Sequence, residues 1–295
     1  MRHGKYPFIV SFLAIPLLLY VVFVVSPYAQ AFYISVTDWK GLSNTQNFVG
    51  LANYGELLSD GLFWRAMSHN LAILIVVPVF VLGLALLFAS ATAISRVRGS
   101  RFYQVVYFFS HVLPVVIVGI LFAFLYNPQA GLLNAVLRAV GLSWLTRAWL
   151  GDTTTALPAV MAVMIWSAVG FYYVLFSAAM KSVPRDVYEA ATLDGAGAFR
   201  TLTSITIPMI WESVQVSAVY LGIAALDGFT LLQTMLPDGG PDRSTEVVAQ
   251  YLYRTAFTEG RFGYASAIGV ALCLITLVLA VLVMRFARRE QVEYA

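Results

Sequence analysis

The residues able to do chemistry are few and widely spaced. Three histidines and a single cysteine, Cys273, leave little for a multi-ligand metal site. No Ser/His/Asp arrangement assembles, and no Gly-x-x-x-x-Gly-Lys-Ser/Thr run cradles a nucleotide. What stands out is Asp227, beside Gly228 in an otherwise apolar stretch, because an ionisable group costs free energy in lipid and marks a functional candidate. It would contact a solute, pair with another polar residue or face water in a pathway. His111, in another apolar stretch with Pro114, is either a packing group or a second such contact, and Pro114 is a kink residue. Tyr172, Tyr173 and Tyr220 offer hydroxyls and ring faces that would line a cavity or pack in a bundle. Groups of this kind bind; they do not break bonds.

The elements that carry them follow from composition. Of 295 residues, 60% are hydrophobic and 11% charged, with mean hydropathy +0.80. A typical soluble domain carries about 25% charged residues, so this chain cannot coat an ordinary globule. Its many aromatics exclude a disordered chain, and a net charge of +3 is too small to suggest nucleic acid. An all-α polytopic membrane protein remains. A spanning helix needs about 20 apolar residues, since each backbone group must be satisfied within it. Six stretches qualify, over about 7–32, 70–93, 105–126, 158–179, 214–235 and 262–286, in a single membrane domain. The first has a basic start (Arg2, Lys5) and Ala29-Gln30-Ala31, which imitate a secretory signal. Its apolar run is too long for that, and five more spans follow.

With the N-terminus inside, eleven of the eighteen Lys and Arg fall on the inner side, so both termini are expected to be cytoplasmic. The outer loops then run to about 37, 31 and 26 residues. Within the second, Gly131 to Val140 is apolar at helical spacing and closed by Gly141, as a short helix lying at the interface or on the protein. Trp39, Trp64, Trp144 and Trp149 also fall in these loops, where an aromatic belt or a docking surface would place them.

The inner loop over about 181–210 is more organised than a linker. Ser182 is expected to cap a helix with Pro184 and Asp186 in its first turn, and helix formers continue to Leu193. Gly195 and Gly197 stop or bend it. A second short helix follows, with Phe199, Leu202 and Ile205 on one face, and Pro208 is expected to end it. Small alanines on this hairpin would let another protein's backbone approach closely.

Glu189-Ala190-Ala191, three residues, Gly195, nine residues, Ile205, one residue and Ile207-Pro208 resembles the signature loop of binding-protein-dependent ABC importer permeases. The family form ends Leu-Pro where this chain has Ile207-Pro208. Asp194-Gly195-Ala196 and Val183-Pro184 are similar to the carbohydrate branch, the maltose and glycerol-phosphate type. The similarity extends over nearly the whole chain: Asp38-Trp39, Phe48 to Tyr54, Gly131 to Asn134, Trp149 to Asp152, Gly239-Gly240-Pro241, Ser244-Thr245-Glu246 and Phe262 to Ala267. Just before Gly239 the family often has Thr-Gly; here stands Pro237-Asp238.

The resemblance implies a type I importer permease of about six transmembrane helices, in a bacterial or archaeal cell membrane, forming half of a sugar pathway. It implies a second permease subunit, an ATP-binding subunit dimer that holds ATP and Mg, and an extracytoplasmic solute-binding protein. This chain itself would carry no cofactor, metal or catalytic residue. Glu189, Ala190, Ala191, Asp194, Gly195, Ile205 and Pro208 would couple to the ATPase, with Glu189 bonding inside the loop or to ATPase backbone. Asp227, Tyr172, Tyr173, Tyr220 and His111 would be the pathway candidates. An ion-coupled secondary transporter of a small polar solute is the alternative; it would place more ionisable groups in its spans than Asp227 and His111.

Overall fold

The computed structural model describes residues 5–43, 45–94, 100–226 and 228–287. The chain is helical throughout, with an isolated antiparallel bridge between Thr37 and Phe48 among the described residues. The helices are α1 (Lys5–Tyr20), α2 (Ser26–Ile34), α3 (Ala52–Ser59), α4 (Gly61–Ile94), α5 (Ser100–Val112), α6 (Val115–Leu125), α7 (Leu132–Ala139) and α8 (Ala156–Ser182). They continue with α9 (Arg185–Leu193), α10 (Ala198–Thr201), α11 (Ile207–Met209), α12 (Trp211–Leu226), α13 (Phe229–Met235), α14 (Val248–Phe257) and α15 (Phe262–Ala287).

Four helical stretches are long and apolar enough to cross a membrane: Phe12–Ile34, Gly61–Thr92, Ala156–Ser182 and Phe262–Val281. They match the expected first, second, fourth and sixth spans. The second helix begins nine residues earlier than its apolar stretch, because Asp60 caps it: Asp60 Oδ1 accepts the N–H groups of Leu62 at 2.8 Å and Phe63 at 3.4 Å. The third stretch is not one straight helix. It bends by 95° between α5 and α6, where Pro114 takes an extended conformation ahead of Val115. Proline disfavours the helical region for the residue before it, and its ring blocks the preceding turn. The fifth stretch divides into α12 and α13 around Gly228, and Asp227 lies outside the described residues.

Two widened turns interrupt otherwise continuous helix, at Val21–Val25 and Leu202–Thr206. In each, the residue just past the turn donates its N–H five residues back, Ser26 to Val21 and Ile207 to Leu202. The next residue in each case is a proline, Pro27 or Pro208. A proline inside a helix has no N–H and strikes the carbonyl four residues earlier; a widened turn moves that carbonyl aside. The rod thus accommodates Pro208 and, as expected, ends beside it, at Met209.

The chain divides into two compact units. One comprises the residues up to Trp64 with Tyr251–Ile275. Here the buried Asn53 Nδ2 donates to the carbonyls of Ser35 and Thr37, both at 2.8 Å, and Ser35 Oγ shares a hydrogen bond with Tyr54 Oη at 2.7 Å. The N–H of Gly263 donates to the carbonyl of Trp39 at 2.9 Å, and the Trp39 ring lies 5.4 Å from that of Phe262. A side chain at Gly263 would strike the Thr37 carbonyl. Asp60 Oδ2 accepts the hydroxyls of Tyr251 and of Tyr264, the latter at 2.6 Å. Burial opposes ionisation of Asp60, yet these hydroxyls and the two backbone N–H groups outweigh it and hold its pKa below the ordinary carboxylate value.

The other unit comprises Arg65–Gln250 and the residues from Thr276 onward. Its core centres on α8, whose Val160, Val163, Tyr173 and Phe176 are fully buried. Helix α5 crosses α8 at Gly170, where a Cβ would collide with the Tyr107 carbonyl. Ser110 Oγ bridges that crossing, donating to Tyr107 O at 2.9 Å or Trp166 O at 3.2 Å. Helix α6 meets α13 at Gly119, against Thr234. Small residues let helices approach closely, which substitutes for a hydrophobic drive that lipid does not supply.

Candidate functional site

The hairpin from α9 to α11 is built by its termini. Ser182 does not cap α9. Helix α8 runs on to include it, and its Oγ bonds back to the Ala179 carbonyl at 2.7 Å. The cap position falls to Pro184, with φ −55° and ψ 139°, and Asp186 sits in the first turn where the helix dipole favours an acid. At the other end Gly195 has φ +73°. The N–H of Ala196 reaches the Ala191 carbonyl at 2.9 Å and that of Gly195 the Thr192 carbonyl at 3.1 Å. This pair of bonds is the Schellman arrangement, which satisfies carbonyls a helix end leaves orphaned. A Cβ at Gly195 would meet nothing within 4 Å, so its requirement for glycine is one of backbone angle, not of crowding.

Beyond Gly197, α10, the widened turn and α11 form one bent rod. It turns by 81° into α12 around Ile210. Thr206, fully buried, donates its hydroxyl to the Thr201 carbonyl at 3.1 Å across the widened turn. Phe199, Leu202 and Ile205 do not share one environment: Phe199 is 76% exposed, Leu202 is buried and Ile205 half-buried.

Of the signature residues, Glu189, Ala190, Asp194, Gly195 and Pro208 are exposed, whereas Ala191 is buried against the rest of its unit. Glu189 has no hydrogen bond or ion pair among the described residues. It borders a cavity of about 570 Å³ together with Lys181, Arg185, Tyr188, Thr92 and Thr201. The Tyr188 hydroxyl is buried there without a hydrogen-bond partner among the described residues. Two residues the signature does not include complete the surface: Leu193 at 89% and Phe199 at 76% exposure flank the glycine turn. Their apolar character was visible in the sequence, but only the folded hairpin shows that neither is covered.

Asp227 lies outside the described residues, and the other pathway candidates sit on α5, α8 and α12. Tyr173 is fully buried, its ring 5.3 Å from Tyr107 in an edge contact and its hydroxyl 3.4 Å from Thr92 Oγ1. Tyr172 is buried edge-on to Phe171, and the exposed His111 ring lies 4.9 Å from that of Phe171. Tyr220 is 69% exposed on α12.

The loop between α13 and α14 accounts for the departure before Gly239. Asp238 adopts φ +61° and ψ 21°, a left-handed conformation that a glycine would take without strain and that aspartate tolerates better than most residues. Gly239 and Gly240 follow with φ +83° and +69°. The Gly239 carbonyl accepts both the N–H and the hydroxyl of Thr245, at 3.0 and 2.7 Å. His69 Nδ1 lies 2.8 Å from the Glu246 carbonyl, and Asn70 Oδ1 accepts the Val248 N–H at 2.8 Å. Glu246 and Val248 thus fasten the loop to the third turn of α4.

Comparison with known proteins agrees with this architecture. Residues 82–291 match the family described as binding-protein-dependent transport system inner membrane component. The diacetylchitobiose uptake system permease protein NgcF of Streptomyces coelicolor is 47% identical over 96% of this chain and 83% of its own length. The probable ABC transporter permease protein YurN of Bacillus subtilis is 36% identical over 95% of this chain and 96% of its own. The multiple sugar-binding transport system permease protein MsmF of Streptococcus mutans is 31% identical over 96% of each. A crystal structure of a bacterial ABC transporter that imports alginate has a chain superposing with TM-score 0.82 at 22% identity, covering 98% of both. The chain therefore belongs to the binding-protein-dependent transport system inner membrane components, and is a multi-pass inner-membrane permease subunit of an ATP-driven importer whose ATP is hydrolysed by a separate subunit.

Proposed function

We propose that this chain forms half of a carbohydrate translocation pathway and is driven through the hairpin of α9, α10 and α11. The observation that carries the reading is the pair of bare apolar side chains, Leu193 and Phe199, held on either side of a Schellman-closed turn. An exposed apolar pair on a rigid hairpin suits docking in a groove of the ATP-binding subunit. A packed rod joined at a fixed bend to α12 transmits rigid-body motion that a linker would absorb. Glu189, at the rim of the adjoining cavity, is the polar member of the docking surface.

A second permease subunit completes the pathway, an ATP-binding dimer holds ATP and Mg, and an extracytoplasmic solute-binding protein delivers the sugar. The basic residues favour an orientation with both termini and the hairpin in the cytoplasm. The names of the relatives support a sugar substrate, with diacetylchitobiose the first candidate. Asp227 is the leading pathway residue and Tyr172, Tyr220 and His111 are secondary.

Reconstitution of this chain with the subunits that copurify with it tests the reading. Uptake of labelled diacetylchitobiose should require ATP and the binding protein, and should survive ionophores that collapse ion gradients. Ionophore-sensitive, ATP-independent uptake would instead establish the ion-coupled alternative. In the same vesicles Asp227→Ala should impair uptake while leaving assembly intact; unchanged uptake removes Asp227 from the pathway.

A further inference from the structure

One side of α7 is locked to the protein. Gly131 opens it because a Cβ there would strike the Asn127 carbonyl. Asn134, buried, donates to the Arg147 carbonyl at 2.9 Å and accepts the Trp149 indole N–H at 2.8 Å. At its end Gly141, with φ +79°, closes a second Schellman turn, the Leu142 N–H reaching the Leu137 carbonyl at 2.8 Å.

The opposite side is bare and apolar. Leu132, Val136 and Val140, spaced by four, are 62%, 48% and 62% exposed, and Trp144 just beyond is 74% exposed. Trp39, Trp64, Trp144 and Trp149 differ in one respect. The indole N–H groups of Trp39, Trp64 and Trp149 bond within the protein, to Ser43 O, Leu58 O and Asn134 Oδ1. That of Trp144 has no partner among the described residues. A large ring with an unsatisfied donor suits a boundary that is apolar on one side and wet on the other.

Two observations select the occupant. Helix α6 ends at Leu125 with Ile120, Leu121 and Phe124 exposed, so the bare face of α7 continues, after a short turn, the membrane-facing surface of a span. The sole charged residue of α7, Arg138, lies in its last turn, away from the Leu132–Val136–Val140 line. This is the arrangement of an interfacial helix whose cation reaches toward lipid phosphates. We propose that α7 with Trp144 is a foot resting in the bilayer interface at the end of α6, and that it is not a docking surface for another protein.

The test uses the assembled transporter in lipid nanodiscs. In a Cys273→Ser background, a nitroxide is placed at Val136→Cys or Trp144→Cys, with Thr153→Cys, exposed on the same connection, as the aqueous reference. Retained stimulation of ATP hydrolysis by solute-loaded binding protein identifies labelled complexes that are correctly folded, and the two positions provide independent readings. Collision with oxygen relative to a water-soluble nickel chelate should be several-fold higher at 136 and 144 than at 153, and unchanged when solute-loaded binding protein is added. A ratio equal to that at 153 would place the foot in water and overturn the proposal. Loss of collision with both reagents, before or after adding the binding protein, would show a protein contact and overturn it equally.

Discussion

Replacing Gly195 tests whether the hairpin acts as a rigid transmitter. Its φ of +73° costs a residue with a Cβ about 1–2 kcal/mol. Nothing lies within 4 Å of the position a Cβ would take, so side-chain volume adds no further penalty. Gly195→Ala and Gly195→Leu should therefore be impaired to the same degree, and Gly195→Asn less, since asparagine visits this conformation more readily. An energy of 1–2 kcal/mol corresponds to about a 5–30-fold loss in the population with the turn intact. The readouts are uptake and the stimulation of ATP hydrolysis by solute-loaded binding protein, in complexes matched for subunit content. Basal hydrolysis should persist while stimulation falls in the order Gly, Asn, then Ala and Leu together. Wild-type coupling in Gly195→Leu would refute the argument. A Leu variant far worse than the Ala variant would refute the claim that backbone angle alone is at stake.

Asp60→Ala should destabilise the purified protein by about 1–3 kcal/mol in thermal melts, because it strands the Tyr251 and Tyr264 hydroxyls and uncaps α4. The folded pKa of Asp60 lies below its ordinary value, so its contribution is complete above about pH 4 and is lost as pH falls through the lower folded value. Wild type should thus lose more stability than Asp60→Asn between pH 6 and pH 3. Gly170→Leu should reduce the yield of folded chain, since it drives a side chain into the Tyr107 carbonyl, at a cost of about 1–3 kcal/mol or more. Gly222→Ala, whose Cβ would meet Leu74 at an ordinary 3.5 Å, should express normally in the same assay. Arg65→Ala should shift stability by less than about 1 kcal/mol, because the Arg65–Asp242 pair is 3.4 Å long with side chains 44% and 81% exposed.

The spans were legible because length and apolarity are one-dimensional properties that the bilayer imposes on a sequence. Angles were not. Pro114 marked the place of a break but carried no sign of its 95°. Ser182 had the chemistry of a cap, and lost that role because α8 continues one turn further than its apolar stretch. Pro208 read as a stop and the rod does end one residue beyond it, but the widened turn ahead of the proline leaves no compositional trace. Gly195, by contrast, was readable as a turn residue from the polar-to-glycine transition after Leu193. The exposure of Leu193 and Phe199 was hidden, since an apolar residue in a sequence carries no statement of whether anything covers it. Asp238 shows the converse: nothing in the sequence announced that an aspartate would hold a left-handed backbone angle here.

The widened turn at Leu202–Thr206 carries a surplus residue, and so sets the phase between two halves of one rod. Each residue of an α-helix turns the chain by about 100°. Deleting one residue between Leu202 and Thr206 would restore the ordinary pitch and swing Phe199, and through Gly197 all of α9, by about that angle relative to α12. The direction in which Leu193 and Phe199 aim is thus encoded in a length as well as in residue types. A permease with the same residues and one fewer at this place would present its apolar pair to a different compass bearing, and would need an ATP-binding subunit whose groove had moved to meet it.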